Sequence, residues 1–350
     1  MTTIRMIAEK CGCSAATVSK ALNGAGDVSR KTAQRIRRVA AELGYMPNAA
    51  ARALKTSRSY CFGMLYGGGV GGLSHGFFAG IINGFRNRAS ELGYDIFFLS
   101  NSLGQQKLGY AEHAHYRGCD GVFIPNETYE DPDVRALASC GIPLVTADYL
   151  FEGCGSVQSD NVKGMEDLVR YIYGQGHRRI AYISGNDTEV TRTRVAAFWG
   201  TCHALGLDIP KQYMISSVYC NPAASQEATK QLLALDERPT CIIYPDDLAY
   251  IGGRNEIYRQ GLRIPEDISA AGYDGINVSQ MLSPRLTTVK QNAELMGVSA
   301  ADELVRAAEQ GVDYVPRRII IPGELLPGET VGRIISRSDL SGKGASPFSR

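Results

Sequence analysis

Apolar residues in the first fifty positions recur at helical spacing. Ile4, Ile7, Ala8 and Cys11 fall at i, i+3, i+4 and i+7, one face of a short helix that Gly12 breaks. Ser14 has the hydroxyl needed to cap a second helix over residues 15–23 by accepting a backbone N–H. Its apolar set is Ala15, Val18, Ala21 and Leu22, and Asn23-Gly24 ends it because glycine tolerates a left-handed turn. Ser29 caps a third helix running to Gly44, with Ile36, Val39, Ala40 and Leu43 turned toward the first two. Two short helices about one tight glycine turn, backed by a third, form a helix-turn-helix whose second helix lies in the major groove of DNA. Beyond Pro47 the run NAAARALKTSRSY is alanine-rich and helix-prone. Isolated helices below about 12 residues are marginal in water, so this run is either a flexible linker or a segment that folds only against a partner.

From Tyr60 the pattern changes to short apolar runs alternating with amphipathic stretches. Strands are predicted over 61–67, 95–101, 120–125 and 142–148, with helices over 77–92 and 133–140. A second series begins near Asn161 and alternates helices at 161–174, 193–205, 224–235 and 248–260 with strands at 178–184, 214–219, 240–246 and 268–274. Alternation at this spacing gives βαβ units and parallel sheets covered by helices on both faces. Two such series imply two doubly wound lobes, with a ligand bound between them at the strand carboxyl ends. The expected fold class is an all-α helix-turn-helix head on an α/β body of two parallel-sheet lobes.

Charge sharpens the division. Residues 1–58 carry eleven Lys and Arg against Glu9, Asp27 and Glu42, a surplus of eight; the remaining 292 residues carry 26 basic against 33 acidic, a deficit of seven. A basic head on an acidic body is the electrostatic footprint of a polyanion-binding module joined to something else. No run approaches the roughly 18 apolar residues of a membrane helix, and the amino terminus lacks an apolar core followed by a cleavage site. A cytoplasmic protein with no membrane partner is therefore expected. The nine cysteines are scattered and form no C-x-x-C pair, so reduced thiols serving as small apolar fillers are expected.

No catalytic constellation emerges, and neither an enzyme nor a bound cofactor or metal is expected. GGGVGGLSHG (67–76) follows a strand and precedes a helix, but the acidic residue that a dinucleotide site needs after the next strand is replaced by Ser100-Asn101-Ser102. A pocket-rim loop fits it better. His113 and His115 are two residues apart on a helix and point about 200° away from each other, which rules out a shared ion. Asp246 and Asp247, adjacent on a strand-to-helix turn, face different ways.

IRMIAEKCGCSAATVSKALN, the segment GYMPNAAARAL and the body landmarks RGCDGVFIP, GQGHRRIAYISG and IYPDDLAYIGG together resemble the lactose-repressor/galactose-repressor family, over residues 4 to about 330. The resemblance implies a DNA-binding domain at 1–46, a hinge helix and linker at 47–59, and a periplasmic-binding-protein-like effector and dimerisation domain at 60–334. Its first lobe would comprise about 60–158 plus 290–318 and its second about 159–289 plus 319–334, followed by a disordered tail at 335–350. That tail has no leucine heptads for a coiled coil. The resemblance further implies a homodimer on a palindromic operator, controlled by a sugar-like effector in the cleft; the competing class is a solute-binding protein that does not regulate DNA. Ser14, Thr17, Ser19 and Asn23 fall at phosphate-contacting positions, and Ala15, Ala16 and Lys20 at base-reading ones, with Lys20 the candidate for guanine O6/N7. Asn48 belongs to the hinge, and paired Leu54 side chains would wedge into the minor groove and kink the duplex. Arg194, Asp246 and Asp274 fall at effector-holding positions, with Asp148, Gln291, His75 and Phe77 as further candidates. Tyr219 or Trp199 could stack on a sugar, although Trp199 suits a core role. Asp246 departs from the family, where asparagine is usual, and so replaces a donor by a charge.

The charge asymmetry generates a first prediction. Gel-shift affinity for an operator fragment should fall steeply between about 50 and 200 mM salt, because the head displaces phosphate counterions; a flat series refutes the electrostatic reading.

Overall fold

A computed structural model describes residues 2–22, 27–46, 53, 58–67 and 75–334. Asn23, Asn48, Leu54, the hinge helix, residues 68–74 of the glycine-rich loop and the tail 335–350 lie outside the described residues. The chain divides into two units, Met1–Ser59 and Tyr60–Arg350.

In the first unit, α1 (Ile4–Cys11), α2 (Ala15–Leu22) and α3 (Arg30–Glu42) enclose a small core. Thr3 caps α1 and Ser29 caps α3, each accepting a backbone N–H one turn on. Gly12 closes α1 at φ 60°, where a Cβ would be strained. Ile7, Val18 and Ile36, one from each helix, are completely buried. Ala15, expected on the apolar face of α2, is instead exposed. It opens the helix, and only Val18 and Ala21 lie deep enough to reach the other two helices.

The second unit contains two sheets of six strands wound alike. The first runs through β1 (Cys61–Tyr66), α4 (Gly76–Glu91), β2 (Asp95–Phe98), a hairpin of β3 (Ser102–Leu103) and β4 (Gln106–Lys107), α5 (Tyr110–Arg117), β5 (Gly121–Asn126), α6 (Pro132–Ala138), β6 (Leu144–Ala147) and β7 (Gly155–Ser159). The chain then crosses to α7 (Asn161–Gly174), β8 (Ile180–Ser184), α8 (Glu189–Ala204), β9 (Met214–Ser216), α9 (Pro222–Leu233), β10 (Cys241–Ile243), α10 (Asp247–Arg259), β11 (Ser269–Asp274), α11 (Asn277–Gln280) and β12 (Thr287–Lys290). It returns through α12 (Ala293–Gln310) and β13 (Arg318–Ile321), and crosses once more to β14 (Glu324–Leu326).

Strand order is β13-β7-β6-β5-β1-β2 in the first lobe and β14-β12-β11-β10-β8-β9 in the second, parallel throughout except for β14. Each sheet reverses its winding beside its first strand, which opens a crevice at the strand carboxyl ends. Apolar side chains cover both faces of the first sheet: Phe62, Phe85 and Phe123 on one, Leu65, Val122 and Leu144 on the other. The second lobe is built on Tyr182, Ile183, Ile242 and Ile243, with Trp199 packed against them beside Phe198. Burying each such side chain contributes about 1.5–3 kcal/mol.

Two expectations need correction. Residues 319–321, assigned to the second lobe, continue β13, which pairs in parallel with β7 of the first sheet. The strand β7 itself is not legible in the sequence pattern, because GSVQS looks polar. Yet all five residues are buried, and Gln158 accepts a hydrogen bond from Arg318 on the neighbouring strand at 2.6 Å. Strands expected over 95–101, 214–219 and 240–246 are also shorter, ending at Phe98, Ser216 and Ile243.

Helices α4 and α12 touch backbone to backbone. A Cβ on Gly84 would sit 2.2 Å from the Glu294 carbonyl oxygen, and one on Gly297 would sit 2.0 Å from that of Ile81. Glu303, completely buried on α12, is held by Arg306, Arg317 and the Tyr314 hydroxyl. That cluster fastens the helix to the segment entering β13. Gly297→Ala should therefore cost about 1–3 kcal/mol through overpacking, lowering the urea midpoint. Gly174→Ala, where a Cβ would meet nothing within 4 Å, should be neutral or stabilising by up to about 1 kcal/mol. Equal effects at the two positions contradict the close helix approach.

Candidate functional site

In the helical unit the amino-terminal turn of α2 presents Ser14, Ala15 and Ala16 to solvent and its last turn presents Lys20, with Thr17 and Ser19 half-buried beside them. The Ser14 hydroxyl accepts from the Thr17 N–H at 3.1 Å, so the residue that starts the helix also stands on its exposed face. Lys20 is paired with Asp27, and both are more than half exposed. Arg5, which sequence reasoning did not single out, lines a surface hollow together with Ser14 and Ala15. Periodicity assigns it only to a solvated face, and nothing in the sequence sets it apart from Lys10 on the same helix.

In the body, polar side chains gather where the strand carboxyl ends of the two sheets face each other. Asp148 follows β6, Asp274 ends β11, Asp246 caps α10 just beyond β10, and Gln291 follows β12. Arg194 stands on α8 and is 3% exposed. Its Nε donates to Asn161 Oδ1 at 2.7 Å and its Nη1 to the Pro245 carbonyl at 3.2 Å. The guanidinium carbon lies 3.6 Å from the Tyr273 ring centre and 6.0 Å from that of Tyr219. The Tyr219 hydroxyl accepts from Thr191 at 2.9 Å. Gln291 Nε2 donates to Asp274 Oδ1 at 2.6 Å. From the first lobe comes His75, 2% exposed, with Nε2 3.9 Å from Asp274 Oδ2, beyond hydrogen-bond reach. Among the described residues neither ring nitrogen of His75 has a hydrogen-bond partner, nor has Gln291 Oε1.

The carboxylates are not equivalent. Asp246 accepts from the Ala249 N–H at 2.8 Å and the Cys220 N–H at 2.7 Å, and burial still raises its pKa. Asp148 accepts from the Ser159 N–H at 2.9 Å, and burial pushes its carboxyl up to about 6 against that bond and Arg194. Burial raises Asp274 well above the usual carboxylate range, with Arg194 opposing. His75 is held below its ordinary value by burial, so the ring is neutral at neutral pH. Asp247 turns the other way. Thr288 and Ser279 hydroxyls and the Ile276 N–H all donate to it, which makes it a brace between β12 and α11. Two of the cleft acids sit in the left-handed region, Asp148 at φ 54° and Asp274 at φ 106°. That is costly for residues with a Cβ and is typical of positions held for function.

Seven of the eight expected cleft residues (His75, Asp148, Arg194, Tyr219, Asp246, Asp274 and Gln291) belong to this network. Phe77 does not: it packs in the first-lobe core, 7% exposed. Its neighbour Phe78 lies 5.3 Å from the His75 ring and 5.8 Å from Tyr66. On a helix, adjacent residues point about 100° apart, and the one expected from sequence lies on the inner side. Asn161, Tyr273 and Tyr66 were also missed. Tyr66 ends β1, where the strand-end rule could have found it; Asn161 and Tyr273 become visible only through Arg194. Beside this network a cavity of about 70 Å³ separates the lobes, lined by Asp148, Gln158, Asn161, Glu189, Thr193 and Arg318 among others. Among the described residues no group of three His, Cys, Asp or Glu is placed to hold a metal ion, and no helix is long and apolar enough to cross a membrane.

Comparison with known proteins agrees with both units. Residues 3–48 match the model of bacterial regulatory proteins of the lacI family, and residues 169–331 match a periplasmic binding protein-like domain. The chain is 30% identical over 309 residues to the probable HTH-type transcriptional repressor ExuR of Bacillus subtilis, covering 87% of this chain and 91% of that one. It is 29% identical to the HTH-type transcriptional repressor PurR of Pasteurella multocida, covering 86% and 90%. Among solved structures, a transcriptional regulator CelR–cellobiose complex superposes with a TM-score of 0.69 at 26% identity, covering 94% of this chain and all of that one. The lac repressor dimer bound to operator and the anti-inducer ONPF shares the fold, with a TM-score of 0.75 at 24% identity over 95% and 99%. An exposed basic helix-turn-helix, a cleft of buried polar groups between two like-wound lobes, and relatives that span nearly the whole length place the chain in the lacI family of bacterial regulatory proteins, as a DNA-binding transcriptional repressor.

Proposed function

We propose that the protein works as a cytoplasmic homodimer that grips a palindromic operator and releases or tightens it when a small, sugar-like molecule enters the cleft between the lobes. The observation that carries this reading is the approach of His75 from one lobe to Asp274 of the other, in a buried site where the His75 ring nitrogens and Gln291 Oε1 have no hydrogen-bond partner among the described residues. A molecule that satisfies those groups bridges the lobes, and its differential affinity for two lobe arrangements is what shifts a DNA-binding equilibrium. One structural neighbour is a complex with cellobiose, and another is a dimer bound to operator and an anti-inducer; these support the same division of labour here. Ser14, Thr17, Ser19 and Asn23 then contact phosphates, and Ala15, Ala16 and Lys20 read bases, with Lys20 leaving Asp27 to do so. Asn48 and Leu54 act at the operator centre. A solute-binding role without DNA leaves the basic head unused.

Selection of genomic duplex fragments by the purified full chain, with and without pooled small metabolites, tests the proposal; retention of no fragment under either condition refutes it. Arg194→Ala and Asp274→Ala should each bind the selected duplex within about threefold of the parent in the absence of effector and lose at least tenfold of the effector response. Unchanged responses in both would mean that the ligand sits elsewhere.

Asp148 supplies a pH test. Its folded carboxyl holds a proton to about 6, whereas an unfolded one loses it near about 4. The native state therefore binds the extra proton across that window, and Asp148 erodes stability as pH rises through it. Asp148→Asn keeps an acceptor for the Ser159 N–H and removes the charge. Its urea midpoint should match the parent near pH 4 and exceed it at pH 7; parallel midpoint curves refute the assignment.

A further inference from the structure

If the cleft is the effector site, as proposed above, its balance of charge and hydrogen-bonding groups goes further than a generic sugar. We propose that the effector is a hydroxylated primary amine, such as an amino sugar, bound as the ammonium ion between Asp246 and Asp274 of the second lobe and the aromatic wall of the first.

Three acids, Asp148, Asp246 and Asp274, meet in this site with a single guanidinium, and His75 is neutral. Arg194 is already committed, through Asn161, the Pro245 carbonyl and the Tyr273 ring, and one cation cannot balance three carboxylates. Burial holds Asp246 and Asp274 above the usual carboxylate range, and the neighbouring acids add to this at Asp274. An anionic ligand would deepen the imbalance, since like charges in a buried site repel strongly.

The unused hydrogen-bonding groups point the same way. Gln291 spends an amide N–H on Asp274, and its Oε1 is a buried acceptor without a partner among the described residues. A neutral imidazole offers one acceptor nitrogen and one donor, and among the described residues both buried nitrogens of His75 lack a partner. Acceptors therefore predominate, and an ammonium group brings three donors with its charge. Hydroxyl groups on the same molecule take the His75 donor and the Arg194 guanidinium. On the first-lobe side, Phe78 lies between Tyr66 and His75. Aromatic faces attract a desolvated cation and have no such attraction for a carboxylate.

The test uses the full chain and matched triplets on one skeleton: glucosamine, glucose and glucuronate, and the galacto and manno equivalents. Melting temperature is read first, and calorimetric titration follows for any compound that raises it. The expected result is a rise with at least one amine, affinity at least tenfold weaker for its neutral parent, and no rise with the acid. Asp246→Asn, which keeps a good helix cap for α10, should reduce amine affinity at least tenfold while leaving the melting temperature of the free protein within a few degrees. Asp274→Asn gives a second reading should that variant be unstable. No response to any amine overturns the inference. A response to a neutral or acidic member alone, abolished by Asp274→Ala, overturns it while leaving the cleft as the effector site. A response that survives both Asp246→Asn and Asp274→Ala removes the cleft assignment itself.

Discussion

Holding one guanidinium among three carboxylates and out of water is the constraint around which the body is arranged. An ion moved from water into a protein interior loses solvation that only well-placed partners restore. Arg194 regains it from an amide oxygen, a backbone carbonyl, a tyrosine face and the field of Asp274, contributed by separate elements of the second lobe. None of these partners can be displaced without leaving a buried charge uncompensated. The second-lobe half of the site is accordingly rigid before any ligand arrives, as Asp246 fixed at the cap of α10 and Asp247 locked behind it also indicate.

The first-lobe half is held differently. His75 leads into α4, and α4 is pinned to α12 by glycines that let the two backbones meet. The α12 helix follows one crossing between the lobes and, through Glu303, is tied to the strand that leads to another. A change in the distance between His75 and Asp274 is thus coupled to the segments that join the lobes. The polar groups left unpartnered there, and the left-handed conformations of Asp148 and Asp274, are local costs that a well-packed sheet sustains.

Much of this is visible in one dimension. The helical spacing of Ile7, Val18 and Ile36 defines the head, because a three-helix core of that size has few alternatives. The alternation of apolar runs with amphipathic helices defines two parallel sheets, because each run is covered on both faces. Resemblance supplied most of the cleft residues, and they do share one network. What failed did so for identifiable reasons. GSVQS hides an interior strand, since its polar residues look like a loop although all five are buried and Gln158 is held by Arg318 of the neighbouring strand. Phe77 stands in for Phe78, since a one-residue step on a helix decides between core and cleft. Ala15 looks like core and is surface, since helix periodicity does not say where packing begins.

Alone, the amino-acid sequence determined the two-part plan, the surplus of positive charge on the head, and the acid at position 246. These follow from local periodicity and from counting, which require no knowledge of long-range contacts. Only the tertiary structure decided that Asn161 and Tyr273 hold Arg194, that Asp247 is a brace while Asp246 is held by the Cys220 and Ala249 N–H groups, and that His75 meets Asp274 without a hydrogen-bond partner of its own among the described residues. Those facts depend on residues more than thirty positions apart being folded into one low-dielectric volume, where burial, and not residue type, sets what each group can do.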